Sequence, residues 1–282
     1  MNLKLNNMKR SIYVFLALGL LFAFQSCTQD DKNEAPENLA APSIPPAELF
    51  TIPTQSFGID ENGKTSTTRN DKSNWIHAGL SVLAWNSVVF VNTAVPIAAF
   101  GHSFEYDAEY IGDLTWQWKY EYETMPQNGS IKYDVALTGQ YLSDNDEVAW
   151  TMTVNESGSA DQFVWFEGLV SKGNQSGSFT IYKDPQNPVP YVTIDYSRNT
   201  STQDGTIRFT NVTPNVEGNG DYIEWRSSNG SEYDRAYDVL NKNGMLEIES
   251  NHLNKNGRVR HPFHFNDDEW HCWDTSKNNI DC

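Results

Sequence analysis

Few residues in this chain have the type and setting that chemistry requires. Glu167 stands in the run FVWFEGLV, where it shares one strand face with Phe163, Trp165 and Leu169 while Val164, Phe166 and Val170 take the other. Both faces are apolar, so an inward Glu167 needs a partner or a raised pKa. Arg235, between Tyr233 and Tyr237 on one strand face, is the natural partner. Three roles stay open for Glu167: a buried ion pair, an outward carboxylate, or a general acid. Glycoside hydrolysis would need a second carboxylate roughly 5 to 9.5 Å away. Glu167 is therefore a weak catalytic candidate.

The remaining reactive types cluster late. His252, His261, His264 and His271 fall near the acids of NDDEWHCW. His261 and His264 are three apart in an apparent strand, which puts them on opposite faces and prevents joint chelation, so no metal site is expected. The runs SDNDE and NDDE lack the glycine-punctuated loop that fixes calcium ligands. Phosphate-binding loops, Ser-His-Asp spacing and zinc signatures are missing, and no cofactor is expected. Trp270 and Trp273 fall outside any alternating pattern and lie beside acids and amides, a setting that suits stacking on a sugar. Packing of a C-terminal flap explains them as well.

Cys272 and Cys282 are ten positions apart, and in an exported chain two such cysteines most simply form a disulfide. Free thiols or a metal site are the alternatives, although no CxxC or HxxxH spacing accompanies them.

The elements that must position these residues are mainly strands. TWQWKYEYE puts Trp116, Trp118, Tyr120 and Tyr122 on one face with Thr115, Gln117, Lys119 and Glu121 opposite. SIKYDVALT repeats the pattern after the turn signal Asn128-Gly129. Nine more runs follow: VAWTMTV, FVWFEGLV, GSFTIYK, YVTIDYS, TIRFTNV, DYIEWRS, YDRAYDVL, MLEIES and GRVRHPFHF. Eleven strands at this spacing predict an antiparallel meander, forming a barrel or a strongly curved sheet. An outer-membrane barrel would need an apolar outer band. Here the second face carries Lys119, Glu121, Lys132 and Asp134, so the sheet belongs in water with its apolar face inward.

Residues 75–100 carry no charge, and their polar members His77, Ser81, Asn86, Asn92 and Thr93 are scattered rather than striped. The segment reads as buried on nearly every side. A helix or helical hairpin packed against the sheet is the leading expectation, with strands or a membrane span as alternatives. Ser73 could cap its start, and Pro96 with the β-branched run before it argues for a break in its second half.

The N-terminus supplies an address. Lys4, Lys9 and Arg10 precede an apolar run from residue 12 to 24, which ends at Gln25-Ser26-Cys27. This order is that of a secretory signal, with an apolar core too short to span a bilayer. The end of the run resembles a bacterial lipobox, with Phe24 where leucine is usual. That resemblance implies cleavage before Cys27 and lipidation of its thiol. Thr28 in place of Asp disfavours retention in the inner membrane, and Gln29-Asp30-Asp31-Lys32 looks like the acidic export signals of Bacteroidetes surface lipoproteins. The implied place is the outer membrane, on its periplasmic or outward face.

The chain then divides into residues 1–27 as signal and anchor, 28–71 as a Pro-, Ala- and acid-rich tether, and 72–282 as a single β-rich domain. A part of the tether, residues 48–57, could dock as a strand. The full chain carries a net charge of −17, and removal of Lys4, Lys9 and Arg10 leaves 17 basic against 37 acidic residues, a net of −20. Such a surface repels nucleic acid and anionic headgroups, so nucleic acid is not expected as a partner.

In architecture the combination is similar to periplasmic lipoprotein and lipid carriers, whose curved antiparallel sheet holds helices against its concave face. Its implication is a non-catalytic, membrane-anchored binding protein for an apolar small molecule, a glycan or an envelope protein. A surface glycan hydrolase and a purely structural envelope protein are the alternatives.

Overall fold

The computed structural model describes residues 35–54, 57, 71–124, 130–142, 146–157, 162–184 and 187–282. Cys27, residues 28–34 and the Asn128-Gly129 turn lie outside the described residues. Helix α1 (Ser73–His102) comes first. Fourteen described strands follow: β1 (Glu109–Gly112), β2 (Thr115–Thr124), β3 (Ile131–Leu142), β4 (Glu147–Glu156), β5 (Gln162–Ser171), β6 (Ser176–Asp184) and β7 (Asn187–Asn199). The second half continues with β8 (Asp204–Asn211), β9 (Tyr222–Ser227), β10 (Arg235–Asn241), β11 (Gly244–Ser250), β12 (Gly257–Arg260), β13 (His271–Trp273) and β14 (Asn279–Ile280). Between β12 and β13 lies the single helical turn α2 (Pro262–Phe265).

Every strand pairs antiparallel with its sequence neighbours, in the order β1 to β14. The eleven alternating runs become β2 to β12. The barrel alternative is corrected, because β1 and β14 do not pair and the sheet stays open. It is nevertheless bent. The amide of Asn74 donates to Cys272 O on β13, and the Tyr120 hydroxyl on β2 donates to Ala99 O near the far end of the helix. The helix between those residues is about 38 Å long, whereas eleven strand spacings of a flat sheet would cover about 53 Å. A chord shorter than its arc means that the sheet curls around α1.

The helix runs unbroken through Pro96, correcting the expected break. Pro inside a helix costs about 3 kcal/mol, which burial offsets here: Ala78, Val82, Val89, Ala99 and Phe100 are all buried in the common core. Among the described residues no helix is long and apolar enough to cross a membrane. Residues 35–54 and Phe57 form a second filling of the concave face. Ala47–Phe50 is a 3-10 turn rather than a strand, and it drives Leu49 and Phe50 into the core beside Phe100, Phe166 and Phe179. Pro53 O accepts from the Tyr237 hydroxyl at 2.6 Å, and Phe57 packs on that ring. Chain assigned to the tether therefore belongs to the folded unit.

The two apolar faces of FVWFEGLV have a structural cause. The register shifts between Met152 and Thr153, pairing Met152 with Phe166 and Thr153 with Val164. Trp165 is the extra residue of a bulge, so Trp165 and Phe166 both point inward, at 3 % and 1 % exposure. Beyond the bulge Gly168 faces inward, and Trp150 lies between Gly139 and Gly168 of the flanking strands. A Cβ on Gly139 would meet Pro42 at 2.9 Å and the Trp150 ring at 3.0 Å. Gly139 makes room for the indole and for the filling segment above it, and Gly168 makes room for Phe179 of β6.

The C-terminal strands close the helix. Cys272 and Cys282 lie at disulfide distance, with Cα atoms 5.3 Å apart. The β13–β14 hairpin they bracket carries Asn279, whose Oδ1 accepts the Asn74 N–H at 3.1 Å and whose Nδ2 donates to Ser73 Oγ at 2.8 Å. The expected Ser73 cap is thus corrected: the N-terminus of α1 is capped from the other end of the chain.

Candidate functional site

The concave face is filled by the chain itself, but α1 leaves a cleft of about 400 Å³ where its first half meets the β8–β9 and β10–β11 turns. His77, Ser81 and Trp85 line it from α1. Their spacing of four residues puts them on one helix face. The polar members of the segment are therefore partly striped, a pattern lost in sequence because Ala and Leu surround them. Val239 and Leu246 form an apolar wall, and Asn211, Glu217, Asp221, Asn241 and Asn243 the polar rim.

Tight turns set that rim. Asn241 Oδ1 accepts the Asn243 N–H at 2.8 Å, ahead of Gly244 at φ 95°. Asn211 Oδ1 accepts the Thr213 N–H at 3.0 Å, while its backbone exchanges bonds with Asp221 and Gly220. Glu217 is paired with Lys242 at 3.4 Å.

Behind the rim lies a contact that the sequence pattern argued against. His77 Nε2 and His261 Nδ1 are 2.9 Å apart, and His264 stacks on His77 with ring centres 3.7 Å apart. The strand assumed over GRVRHPFHF stops at Arg260, and the helical turn α2 brings His264 back beside His261. Parallel stacked rings do not converge on one point, and among the described residues no group of three His, Cys, Asp or Glu is placed to hold a metal ion. Burial, with the neighbouring His264 and His261, lowers the His77 pKa to about 4. His261 is also lowered, by burial and then His264, while the Asn243 backbone pulls the other way without forming a well-aligned bond to its buried Nε2. Both rings are neutral at pH 7, and in either tautomer the pair keeps one N–H and one lone pair beyond their mutual bond. Ser81 spends its proton on His77 O at 2.8 Å and has lone pairs left to accept.

The imidazole, hydroxyl and amide groups, with the carboxylates of Glu217 and Asp221 on the rim, lie beside an indole and two aliphatic side chains and match a ligand with hydroxyls on one side and C–H on the other. The cleft can bind and orient such a ligand.

The residues singled out from the sequence lie elsewhere. Glu167 is on the exposed convex face between Thr151 and Thr180, and accepts a hydrogen bond from Tyr182 OH at 2.6 Å. The Tyr182 pKa is raised to about 12, chiefly by that bond. Arg235 is not its partner; it lies near Asp234 and over Trp225. Trp273 is a core residue at 1 % exposure with Nε1 donating to Lys255 O at 2.8 Å, so it presents no face to a ligand. Trp270 lies over Arg258 and Arg260 on the convex face. Those arginines belong to a grid in which Arg208, Arg226, Arg258 and Arg260 meet Glu224, Asp238, Glu249 and Glu247 across β8 to β12. Its charges balance, so the acidity of the chain resides elsewhere.

Neither protein-family models, nor curated proteins, nor solved structures yield a match to this chain.

Proposed function

We propose that this chain is a lipoprotein anchored to the outer membrane through Cys27, and that it binds a glycan non-catalytically in the cleft between α1 and the β8–β9 and β10–β11 turns. The observation carrying this reading is that α1, residues 35–54 and Phe57 occupy the concave face. An apolar ligand would have to displace the protein's own core, whereas the cleft remains open with hydroxyl, imidazole, amide and carboxylate groups around an apolar wall. The anchor reading rests on the signal and lipobox pattern. A hydrolase acting through Glu167 gains no support from a carboxylate on the convex face with threonines across both strands.

The test is calorimetric titration of the purified full chain in mild detergent against neutral oligosaccharides, with Asn243→Ala and Trp85→Phe beside it. Saturable binding weakened at least about tenfold in Asn243→Ala, the loss of one well-placed hydrogen bond in a desolvated site, is expected. Absence of binding across a broad glycan panel, or binding indifferent to both substitutions, would refute the assignment. Metabolic labelling with a fatty acid, lost in Cys27→Ser, checks the anchor separately.

A further inference from the structure

A second cavity, of about 420 Å³, opens where residues 48–53 cross the start of β10. It is lined by Arg235, His252, Lys255 and Trp225 together with Glu48, Thr51 and Pro53. In a chain with 20 Lys and Arg against 37 acids, a wall carrying an arginine, a lysine and a histidine together departs from the rest of the surface.

Most of its polar groups on offer are donors. The guanidinium and the ammonium can only donate. The Trp225 Nε1–H is buried and has no hydrogen-bond partner among the described residues, an unmet donor that an arriving acceptor would satisfy. Asp234, 8 % exposed, holds the basic residues in place. Its Oδ1 accepts the His252 N–H at 2.9 Å, its Oδ2 contacts His252 Nδ1, and Arg235 Nη1 lies 3.7 Å from Oδ2 while donating to Asp234 O at 2.7 Å. Because the Asp234 carboxylate accepts, Nδ1 of His252 carries the ring proton and its Nε2 is left with a lone pair, so the donors on offer are those of Arg235, Lys255 and Trp225. Arg235 keeps most of its five N–H groups, and its guanidinium carbon stands 5.8 Å from the Trp225 ring centre.

The positive field extends past the cavity. Burial lowers the Lys277 pKa, and the like charges of Lys72 and Lys255 add to it. Two acids beside the cavity are already committed, Asp234 to His252 and Arg235, and Glu249 to Arg258. Glu48, exposed on the 3-10 turn, is the acid that lines the cavity itself.

We propose that this cavity is a binding site for an oxyanion, the carboxylate or phosphate of a small organic ligand, held by Arg235, Lys255 and the Trp225 N–H. A ligand rich in acceptors and lacking donors at its head completes what the wall leaves unmet. Planar carboxylates and phosphates match a guanidinium fork. The site lies at the opposite end of β10 from Asn241 and Asn243 and stands independently of the glycan cleft.

The experiment is titration of the full chain in mild detergent with glucuronate, glucose 6-phosphate, inorganic phosphate and glucose, followed by tryptophan fluorescence. Saturable quenching by an anionic probe, weakened by added salt and absent with glucose, is the expected result. Glucuronate binding alone assigns a carboxylate head, and binding of the two phosphates alone assigns a phosphoryl head. Lys255→Gln and Arg235→Gln should each weaken binding at least about tenfold, as expected for losing a charge-assisted bond. Glu48→Gln should tighten it. No saturable response to any anion, an equal response to glucose, or affinities unchanged in both Lys255→Gln and Arg235→Gln would overturn the proposal.

Discussion

Replacing Asn279 by alanine should uncap α1 from 205 residues away. The Asn74 N–H is among the first of the helix, which have no partner within it. Lys72 at the N-cap position makes no side-chain capping bond, and the acceptor is Asn279 Oδ1 at 3.1 Å. A lost cap costs about 1 kcal/mol, within a range of about 0.5 to 2. The Asn279 bond to Ser73 Oγ goes with it, which places the expected value in the upper half of that range. The Cys272–Cys282 link holds this hairpin against the helix. Closing a loop of ten residues contributes about 2.7 kcal/mol on the chain-entropy account, so Cys272→Ser/Cys282→Ser should lose that much. Once the hairpin is loosened, Asn279 caps less well. The triple variant should therefore be more stable than additivity predicts, by about 0.5 to 1 kcal/mol. Urea titrations followed by tryptophan fluorescence give the four stabilities, and amide hydrogen exchange at Asn74 gives the local one. Strict additivity, or unchanged protection of the Asn74 amide in Asn279→Ala, would refute the idea that the two ends of the chain cooperate.

Three further outcomes follow from the packing and the buried imidazoles. Gly168→Ala places a Cβ against Phe179 and Ser178 O, and should destabilise by about 1–3 kcal/mol in the same titration; a neutral result would mean that β5 and β6 shift apart freely. Tyr237→Phe removes the hydroxyl donor to Pro53 O, at a cost of about 1 kcal/mol, and should speed proteolysis near residue 54; unchanged cleavage would mean that the segment is held by its apolar side chains alone. The His77 pKa is lower in the folded chain, about 4, than its ordinary value of 6.5. The unfolded chain thus binds more protons between those values, so stability should fall as pH drops from 6.5 towards 4. His77→Gln should flatten that part of the profile, and an unchanged slope would place the titrating group elsewhere.

The sheet was legible from sequence because a half-buried strand writes its two faces into alternate positions, as TWQWKYEYE does. β5 was legible as an anomaly but not as a bulge, since one extra residue and a strand buried on both faces leave the same run of apolar letters. Pro96 misled because local propensity carries no information about how much apolar surface an element buries elsewhere. The cleft was hidden for a related reason. His77 and His261 are 184 positions apart, and the reversal that unites them depends on four residues of α2 whose hydrophobic pattern also fits a strand. Arg235 stands out in the sequence as an arginine between two tyrosines, but its neighbours Trp225 and His252 come from other strands and turns, and only the fold reveals them.

The order of elements along the chain sets an order of events. In a strict meander each strand needs only its predecessor, so hairpins can zip one after another from local contacts. The two segments that fill the concave face, residues 35–54 with Phe57 and α1, precede in sequence the strands that cover them. Until those strands form, the thirty residues of α1 lack most of the surface they pack against, and the helix cannot receive its cap until Asn279 has been made. Late closure of this kind exposes an aggregation-prone intermediate. A chain cut short before β13 would lose far more than two small strands, because the core would have formed around a helix that nothing holds at its start.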